Sequence, residues 1–203
     1  MIRKENQPLA RERMPEEIIW IGDEPFQLLF SESEIQSRVR QMALEIEKDY
    51  AGKSPIFVGV LNGAFIFMGD LIRQIQGVDL EIDFYKLSSY GKEKASAGQV
   101  QLLKSVDTKL AGRDVIVVED IVDSGLSVSY IREAILAHSP KSLRFCALLF
   151  KESVADLDFI IDYVGFRIPK QFVIGYGLDY KQLKRNLPAI YQLVDSHPIQ
   201  TGK

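Results

Sequence analysis

Three carboxylates and two hydroxyls follow one another closely in the stretch VIVVEDIVDSGLS, residues 115–127. Val115 to Val118 form an apolar run that is typical of a strand buried on both faces. Glu119 and Asp120 end that run, and Asp123 comes three residues after Asp120. Acids at the end of a buried strand indicate chemistry more than packing, because charged side chains are rarely buried without partners.

The turn after Asp123 is small and rich in hydroxyls, and it consists of Ser124, Gly125, Leu126 and Ser127. It precedes a predicted helix, so its backbone N–H groups can bind an anion at the helix start. Two unit charges about 4 Å apart repel by roughly 4 kcal/mol at an effective dielectric near 20, so acids beside a bound phosphate need metal or hydroxyl donors between them. A phosphorylated sugar supplies phosphate and hydroxyls together, and Glu119 and Asp120 could accept hydrogen bonds from its hydroxyls. The alternative is a solvated strand end followed by a helix cap, which an isolated acid pair would favour.

Composition excludes several classes of protein. The 203 residues suffice for one sizeable core, and a second full domain is not expected. The 25 Lys and Arg against 28 Asp and Glu give a net charge of −3, which argues against a nucleic-acid partner. No apolar run reaches the roughly 20 residues of a membrane helix, so we expect no membrane partner. The single cysteine, Cys146, fits a buried hydrophobe in a reducing compartment, which predicts a cytoplasmic protein.

The N-terminal residues 1–19 mix Arg, Lys and Glu with two prolines, which predicts an exposed arm ahead of a single domain over residues 20–203. His138 and His197 are far apart and have no Cys or carboxylate at ligand spacing. A zinc site or a Ser-His pair is therefore not expected, and any general base is a carboxylate. The absence of a Gly-x-Gly-x-x-Gly pattern after a strand removes the main support for a dinucleotide cofactor.

Helix and strand patterns alternate along the chain. Ser31 and Glu34 have capping-box spacing and precede an amphipathic helix whose core residues are Ile35, Val39, Met42, Ile46 and Tyr50. Residues 55–60 read as a buried strand and LNGA as the turn after it. The predicted core face of the next helix is Phe65, Met68, Leu71, Ile72 and Ile75. Residues 79–85 alternate in polarity, which fits a strand with one partly polar face.

Residues 86–103 are mostly polar and small, which is typical of a functional loop or lid. A second strand, turn and helix follow, with Val128, Ile131 and Ile135 on the helix core face. Further strands are predicted in SLRFCALLF, FIIDYVGF, FVIGY and IYQLV. This alternation predicts an α/β protein with a mostly parallel sheet and a ligand at the carboxyl ends of its strands, where the acids of residues 119–123 lie.

The segment VVEDIVDSGLS resembles the phosphoribosyl-pyrophosphate signature of the type I phosphoribosyltransferases. LNGAF, SSYG, LLFK, VGFRIPKQFVIGYGLDY and Arg185 are similar, in order and spacing, to active-site segments of the hypoxanthine-guanine phosphoribosyltransferases. The resemblance covers roughly residues 20–195 and departs from many relatives at Asn62 and Gln171. It implies a mostly parallel twisted sheet flanked by helices, with a small hood built from terminal segments.

The resemblance also implies a role for each matching residue. Ribose and 5′-phosphate would be held by Glu119, Asp120, Asp123, Ser124, Gly125, Leu126 and Ser127. Pyrophosphate would be held by Leu61, Asn62, Gly63 and Arg185. The purine would be held by Ile121, Lys151, Phe172, Val173 and Asp179, with Asp123 taking the N7 proton. Mg²⁺ would be bound by Asp179, Glu119 and Asp120, and Ser89 and Tyr90 would lie on a closing loop.

Without the resemblance, several of these residues have plainer interpretations. Lys151 could be the solvated exit of a strand, and Phe172 alone would be assigned to the core. Asp179 could equally bind a metal or cap a helix. As a base-reading group, Lys151 would favour a 6-oxopurine, because the amino group of adenine would leave two donors facing each other.

The function implied by the resemblance is purine salvage. A 6-oxopurine, hypoxanthine or guanine, would displace pyrophosphate from phosphoribosyl pyrophosphate in a magnesium-dependent reaction, in a homodimer or homotetramer. The alternative is a regulatory protein of the same fold that senses phosphoribosyl pyrophosphate. Some such regulators bind RNA and should carry a basic face, which the sequence pI near 5.5 does not support.

Overall fold

The computed structural model describes residues 18–89 and 100–194, and its main feature is a six-stranded sheet. The strands of this sheet are β3 (Ile56–Leu61), β4 (Glu81–Ser89), β5 (Val100–Lys104), β6 (Asp114–Val122), β7 (Ser142–Phe150) and β8 (Tyr163–Arg167). Their order is β5-β4-β3-β6-β7-β8, and all neighbours are parallel except β4 and β5. The predicted α/β class with a mostly parallel sheet is confirmed.

A second, antiparallel sheet of four strands forms the predicted hood. Its strands are β1 (Ile18–Ile21), β2 (Glu24–Phe30), β9 (Val173–Ile174) and β10 (Ile190–Leu193), in the order β1-β2-β10-β9. Ile18 and Ile19, assigned to the arm by the sequence, pair with Gln27 and Phe26 in β1. The rest of the predicted arm lies outside the described residues.

In the described part of the chain, three helices connect and cover the strands: α1 (Glu32–Asp49), α2 (Ala64–Gln74) and α3 (Leu126–Leu136). The capping box of Ser31 and Glu34 is formed, and the predicted core faces of α1 and α3 are buried. In α2 the prediction for Phe65 is wrong, because that side chain is 62% exposed and Phe67 is buried in its place. Phe65 lies on the first turn of α2, directly after the LNGA turn.

The predicted loop over residues 86–103 is partly regular structure. Its ends belong to β4 and β5, which pair antiparallel with Leu87 opposite Leu102. In β4, Ile82 is 49% exposed, whereas Asp83 is buried and accepts hydrogen bonds from the backbone N–H groups of Asp107 and Thr108, at 2.7 and 2.8 Å. The polar residue therefore faces inwards because it satisfies the backbone of the chain after β5.

The core lies on both faces of the six-stranded sheet. One cluster packs α1 and α2 against it, and the other packs α3 on the opposite face. Cys146 is fully buried, as predicted. Residues 159–162, predicted as part of a strand, precede β8, which begins at Tyr163. Among residues 18–89 and 100–194, no helix has the length and apolar composition needed to cross a membrane.

Candidate active site

The carboxyl ends of β3, β6 and β7 meet at one edge of the sheet, as parallel strands require. The LNGA turn follows β3, the acidic segment ends β6, and Lys151 follows β7. Residues 90 sequence positions apart are therefore brought to one place by the register of the sheet. The predicted site residues form two groups along this edge and a third group on the hood.

Glu119 and Asp120 are neighbouring acids, and burial disfavours the ionised form of both. Glu119 is buried, and among the described residues no hydrogen-bond partner reaches its Oε2 atom. Burial and the neighbouring Asp120 raise the pKa of Glu119 well above its usual value. Burial also raises the pKa of Asp120 to about 6, although the backbone N–H of Ile121 and the charge of Arg185 oppose the increase. Two carboxyl groups this poorly solvated are suited to accept hydrogen bonds from hydroxyls or to share a cation.

The turn of residues 124–127, predicted to bind an anion, leads into α3. Gly125 adopts φ +90°, and a Cβ there would lie 2.7 Å from Leu157, so only glycine fits without strain. A cavity of about 230 Å³ lies at this turn and is lined by Glu119, Ile121, Val122, Asp123, Ser124, Gly125, Ser127 and Val128. The turn, Asp123 and one member of the acid pair, Glu119, thus share one cavity, whose lining does not include Asp120.

Lys151 is neither solvated nor free. Its side chain is 8% exposed, and its Nζ donates to Asp123 Oδ2 at 2.8 Å. Asp123 is half exposed and lines the cavity. The solvated strand-end interpretation is therefore wrong for Lys151. The pair places a cationic donor and an anionic acceptor next to each other at the mouth of the cavity.

The LNGA turn packs directly against the acid pair. A Cβ on Gly63 would lie 1.7 Å from Asp120 Oδ2, so no side chain is possible there while Asp120 keeps its position. Gly177 approaches the same glycine from the other side, since a Cβ on Gly177 would lie 2.1 Å from the carbonyl oxygen of Gly63. The turn after β3 is thus held between β6 and the segment after β9.

Asp179 and Arg185 lie next to this contact. Arg185 Nη2 pairs with Asp179 Oδ1 at 2.8 Å, and its Nη1 donates to the carbonyl oxygen of Gly177 at 2.7 Å. The other Asp179 oxygen accepts from the backbone N–H of Gln182. Asp179 therefore closes a local turn, and among the described residues it caps no helix. Its predicted binding of a metal stays a prediction. Its charge acts on Asp120, whose pKa it raises.

The donor set at this edge fits magnesium bound together with a substrate. Across residues 18–89 and 100–194, no group of three or more His, Cys, Asp or Glu residues could hold a metal ion on its own. The buried Glu119 oxygen without a partner and the Asp120 carboxylate are hard oxygen donors. Mg²⁺ usually keeps several waters and is bound by one or two carboxylates plus substrate phosphates, so such a site suits it.

Two of the predicted base-binding residues, Phe172 and Val173, lie on the hood or directly beside it. Phe172 is 48% exposed rather than buried in the core, and its ring lies 6.3 Å from that of Phe26 and 6.2 Å from that of Tyr180. Val173 lies in β9, the edge strand of the hood, opposite Gln192. Since Leu193 N–H donates to the Phe172 carbonyl oxygen, the alternation of an antiparallel ladder turns the Val173 backbone groups to the open edge. An exposed ring and free backbone groups are suited to a planar heterocycle.

Ser89 and Tyr90 are the two residues predicted to lie on a closing loop. Ser89 is the last residue of β4, so the strand leads towards the site edge. Tyr90 lies outside the described residues. The assignment of both residues to a closing loop stays a prediction.

Sequence reasoning missed the residues that join these groups. Tyr176 and Gly177 hold the segment after β9 in place, and Asp70 of α2 accepts a hydrogen bond from Tyr176. The sequence Gly-Tyr-Gly at residues 175–177 was the available signal, because closely spaced glycines indicate backbone conformations that other residues avoid. Nothing in the sequence pairs Asp70 with it.

The family model for the phosphoribosyl transferase domain matches residues 30–181, which is most of the chain and includes the acid pair and the phosphate turn. The chain belongs to the phosphoribosyltransferase family. The resemblance predicted from the sequence is therefore confirmed, and the protein is an enzyme of the phosphoribosyltransferase class.

Individual relatives cover nearly the same region. The hypoxanthine-guanine phosphoribosyltransferase of Bacillus subtilis is 45% identical over 163 residues, which are 80% of this chain and 90% of that protein. The hypoxanthine phosphoribosyltransferase of Salmonella typhimurium is 41% identical over 170 residues, 83% of this chain and 95% of that protein. A crystal structure of a hypoxanthine-guanine phosphoribosyltransferase from Bacillus anthracis is similar in fold, with a TM-score of 0.77, 44% identity and coverage of 82% of this chain and 98% of that one.

Proposed function

We propose that this phosphoribosyltransferase acts in purine salvage, transferring the phosphoribosyl group of phosphoribosyl pyrophosphate to a 6-oxopurine. The observation that carries the proposal is the ion pair between the buried Lys151 and the half-exposed Asp123, which lines the cavity. A 6-oxopurine with hydrogen on N7 offers an acceptor at O6 and a donor at N7 on the same edge. It therefore complements one cationic donor and one anionic acceptor, which adenine does not. The names of the similar proteins support the same substrate class.

The base takes part in the reaction through a proton transfer. As purine N9 bonds to the ribose C1, the bond from C1 to the pyrophosphate oxygen breaks and pyrophosphate leaves with the electron pair. The purine then carries excess positive charge, which it loses as the N7 proton to Asp123. Lys151 donates to O6, Phe172 stacks on the ring, and the Val173 backbone binds its edge. Ile121 lines the same cavity and packs against the hydrophobic core.

The sugar pyrophosphate would be held at the sheet edge. Glu119 and Asp120 accept from the ribose hydroxyls, and the turn of residues 124–127 binds the 5′-phosphate. The turn of residues 61–63 and Arg185 bind the pyrophosphate. Magnesium, held by Asp120, Glu119 or Asp179 together with substrate oxygens, would neutralise the charge of the leaving group. Asn62 adds no charge, so Arg185 carries more of that neutralisation.

The remaining properties are proposed on less specific grounds. A single buried cysteine fits a cytoplasmic enzyme. We infer one catalytic domain over residues 20–203, preceded by the arm. A homodimer or homotetramer is inferred from the family resemblance, with no nucleic-acid or membrane partner.

A panel of five bases tests the proposal. Hypoxanthine, guanine, xanthine, adenine and orotate are each incubated with enzyme, phosphoribosyl pyrophosphate and magnesium, and nucleotide is measured by absorbance. We expect nucleotide from hypoxanthine or guanine, and little from adenine or orotate. If no oxopurine is turned over while phosphoribosyl pyrophosphate still binds, the regulatory alternative is correct.

A further inference from the structure

Tyr176 has an unusual backbone for a residue with a side chain. It adopts φ +50° between Gly175 at +93° and Gly177 at +102°, so three consecutive residues are left-handed. Non-glycine residues rarely adopt this conformation and persist there only when the surrounding structure holds them. Its ring is 3% exposed, and its N–H donates to the carbonyl oxygen of Leu187 at 2.8 Å.

The Tyr176 hydroxyl is held by a carboxylate of another element. It donates to Asp70 Oδ2 at 2.7 Å, and Gln36 of α1 donates to the same oxygen at 2.8 Å. Arg73 pairs with the other oxygen of Asp70. Burial alone would raise the pKa of Asp70, but these three donors keep it below its usual value. Burial and the bond to Asp70 also raise the pKa of Tyr176, so the hydroxyl stays protonated and remains the donor.

This hydrogen bond links two parts of the site. Asp70 lies on α2, whose first turn follows the Leu61–Gly63 turn. Tyr176 directly precedes Gly177, which contacts the carbonyl of Gly63 and exchanges hydrogen bonds with Arg185 through its N–H and its carbonyl oxygen. The Tyr176–Asp70 bond therefore joins the same two segments as the Gly177–Gly63 contact, about two helix turns further along α2.

We propose that Tyr176 and Asp70 are positioning residues that hold the Leu61–Gly63 turn against Gly177 and Arg185, and so preserve the pyrophosphate side of the site. The proposal rests on the proposed function for its kinetic consequence. The purine side has a separate anchor, because Val173 and Ile174 are paired with β10. Loss of the Tyr176–Asp70 hydrogen bond should therefore change the KM values for the two substrates unequally.

The test is Tyr176→Phe, which removes only the hydroxyl. We expect the KM for phosphoribosyl pyrophosphate to rise about tenfold, as for loss of a buried hydrogen bond to a charged group, while the KM for hypoxanthine changes less than about twofold. The matched control is Tyr163→Phe. Tyr163 is equally buried and donates to Asp49 at 2.8 Å, but it lies at the start of β8, at the opposite end of the parallel strands. Tyr163→Phe should lower the thermal stability by a similar amount and leave both KM values unchanged.

Two further measurements separate the positioning role of the Tyr176–Asp70 hydrogen bond from the proposed function. Tyr176→Phe should add little to the KM effect of Asp70→Leu, because both break the same bond. Hydrogen exchange of the Tyr176 and Gly177 amides should become at least tenfold faster in Tyr176→Phe, with that of Ile174 unchanged. If exchange of the Tyr176 and Gly177 amides is unchanged in folded Tyr176→Phe, the positioning role of the Tyr176–Asp70 hydrogen bond is overturned, even if the enzyme is inactive. If both KM values rise equally in Tyr163→Phe, the effect is a general structural one. Absence of oxopurine turnover in the wild type would count against the proposed function alone.

Discussion

At the scale of single residues, the proposed function rests on the opposite charges of Asp123 and Lys151, which form an ion pair. Asp123 and Lys151 are 2.8 Å apart, so each neutralises the other in the ligand-free protein. A purine that inserts between them must replace both halves of that interaction. In the proposed function a 6-oxopurine does so, and bases that cannot are excluded because an unpaired buried charge is costly.

Asp123→Asn should lower kcat by about 10²–10⁴ while changing the KM for phosphoribosyl pyrophosphate far less, because the amide keeps the shape but accepts no proton. Steady-state kinetics with varied phosphoribosyl pyrophosphate separate the two quantities. Asp158→Asn, an exposed acid with an 81% exposed side chain, is the control and should leave both unchanged. Equal losses in kcat and in binding would assign Asp123 to the phosphate turn.

Lys151→Gln should reduce kcat/KM for hypoxanthine by an amount equivalent to about 1.5–3 kcal/mol, the range for a hydrogen bond to a charged group. Discrimination against adenine should also fall, because the glutamine carbonyl can accept from the adenine amino group. The measurement is the hypoxanthine-to-adenine ratio of kcat/KM in both proteins, with exposed Lys170→Gln as the control. An unchanged ratio in a folded Lys151→Gln protein would remove Lys151 from base recognition.

At the scale of elements, the turn after β3 is fixed by close backbone packing. Gly63→Ala should destabilise the protein by about 1–3 kcal/mol and raise the KM for phosphoribosyl pyrophosphate, since the new Cβ would displace Asp120. Gly69→Ala, inside the helix that follows this turn, meets nothing within 4 Å and should stabilise the protein by about 1 kcal/mol. Denaturant unfolding and kinetics of both variants check this. A Gly63→Ala enzyme with wild-type kinetics would refute the close contact.

The base of the β4–β5 hairpin has an acid anchor with a defined pH dependence. Burial alone would raise the pKa of Asp83, but hydrogen bonds from the backbone N–H groups of Thr108, Phe84 and Asp107 lower it to about 2. A lowered pKa means that the stabilisation is complete above the unfolded value of 3.8 and is lost as the pH falls through about 2.

Asp83→Asn should therefore cost about 2 kcal/mol at pH 7, at roughly 1.4 kcal/mol per pH unit between the two pKa values, and this difference should shrink below pH 4. The measurement is urea unfolding of wild type and variant from pH 7 to pH 2.5. Asp79→Asn, an exposed acid nearby, is the control. A difference that stays constant over this range would show that the ionised carboxylate is not the stabilising form.

The same elements show what sequence can and cannot predict. The acid pair and the phosphate turn were predictable because all their residues are contiguous after one strand pattern. The core face of α2 was misassigned at Phe65, because Phe65 and Phe67 are both apolar and periodicity alone did not show which of them faces the core. The Lys151–Asp123 pair and the packing of Gly63 between Asp120 and Gly177 join distant segments, and only the register of the strands creates them.

At the scale of the whole molecule, the site lies where the parallel sheet and the hood contribute different chemistry. The sheet edge supplies charges and the phosphate turn, while the hood supplies an exposed ring and free backbone groups. The sheet edge holds its acids at an electrostatic cost: burial raises the pKa of Asp120 to about 6, so the ionisation of this group has no effect on folding below about pH 4 and opposes folding increasingly up to pH 6. Such a cost is typical of groups placed for binding rather than for stability.

The central claim is group transfer from phosphoribosyl pyrophosphate to a 6-oxopurine, and the most direct measurement is the product balance with hypoxanthine. Enzyme, hypoxanthine, phosphoribosyl pyrophosphate and magnesium are incubated, and nucleotide and pyrophosphate are quantified by chromatography alongside a reaction without base. We predict one nucleoside 5′-monophosphate and one pyrophosphate for each hypoxanthine consumed, with little pyrophosphate when the base is omitted. Pyrophosphate released without nucleotide, or no consumption of hypoxanthine by the folded protein, would contradict the account.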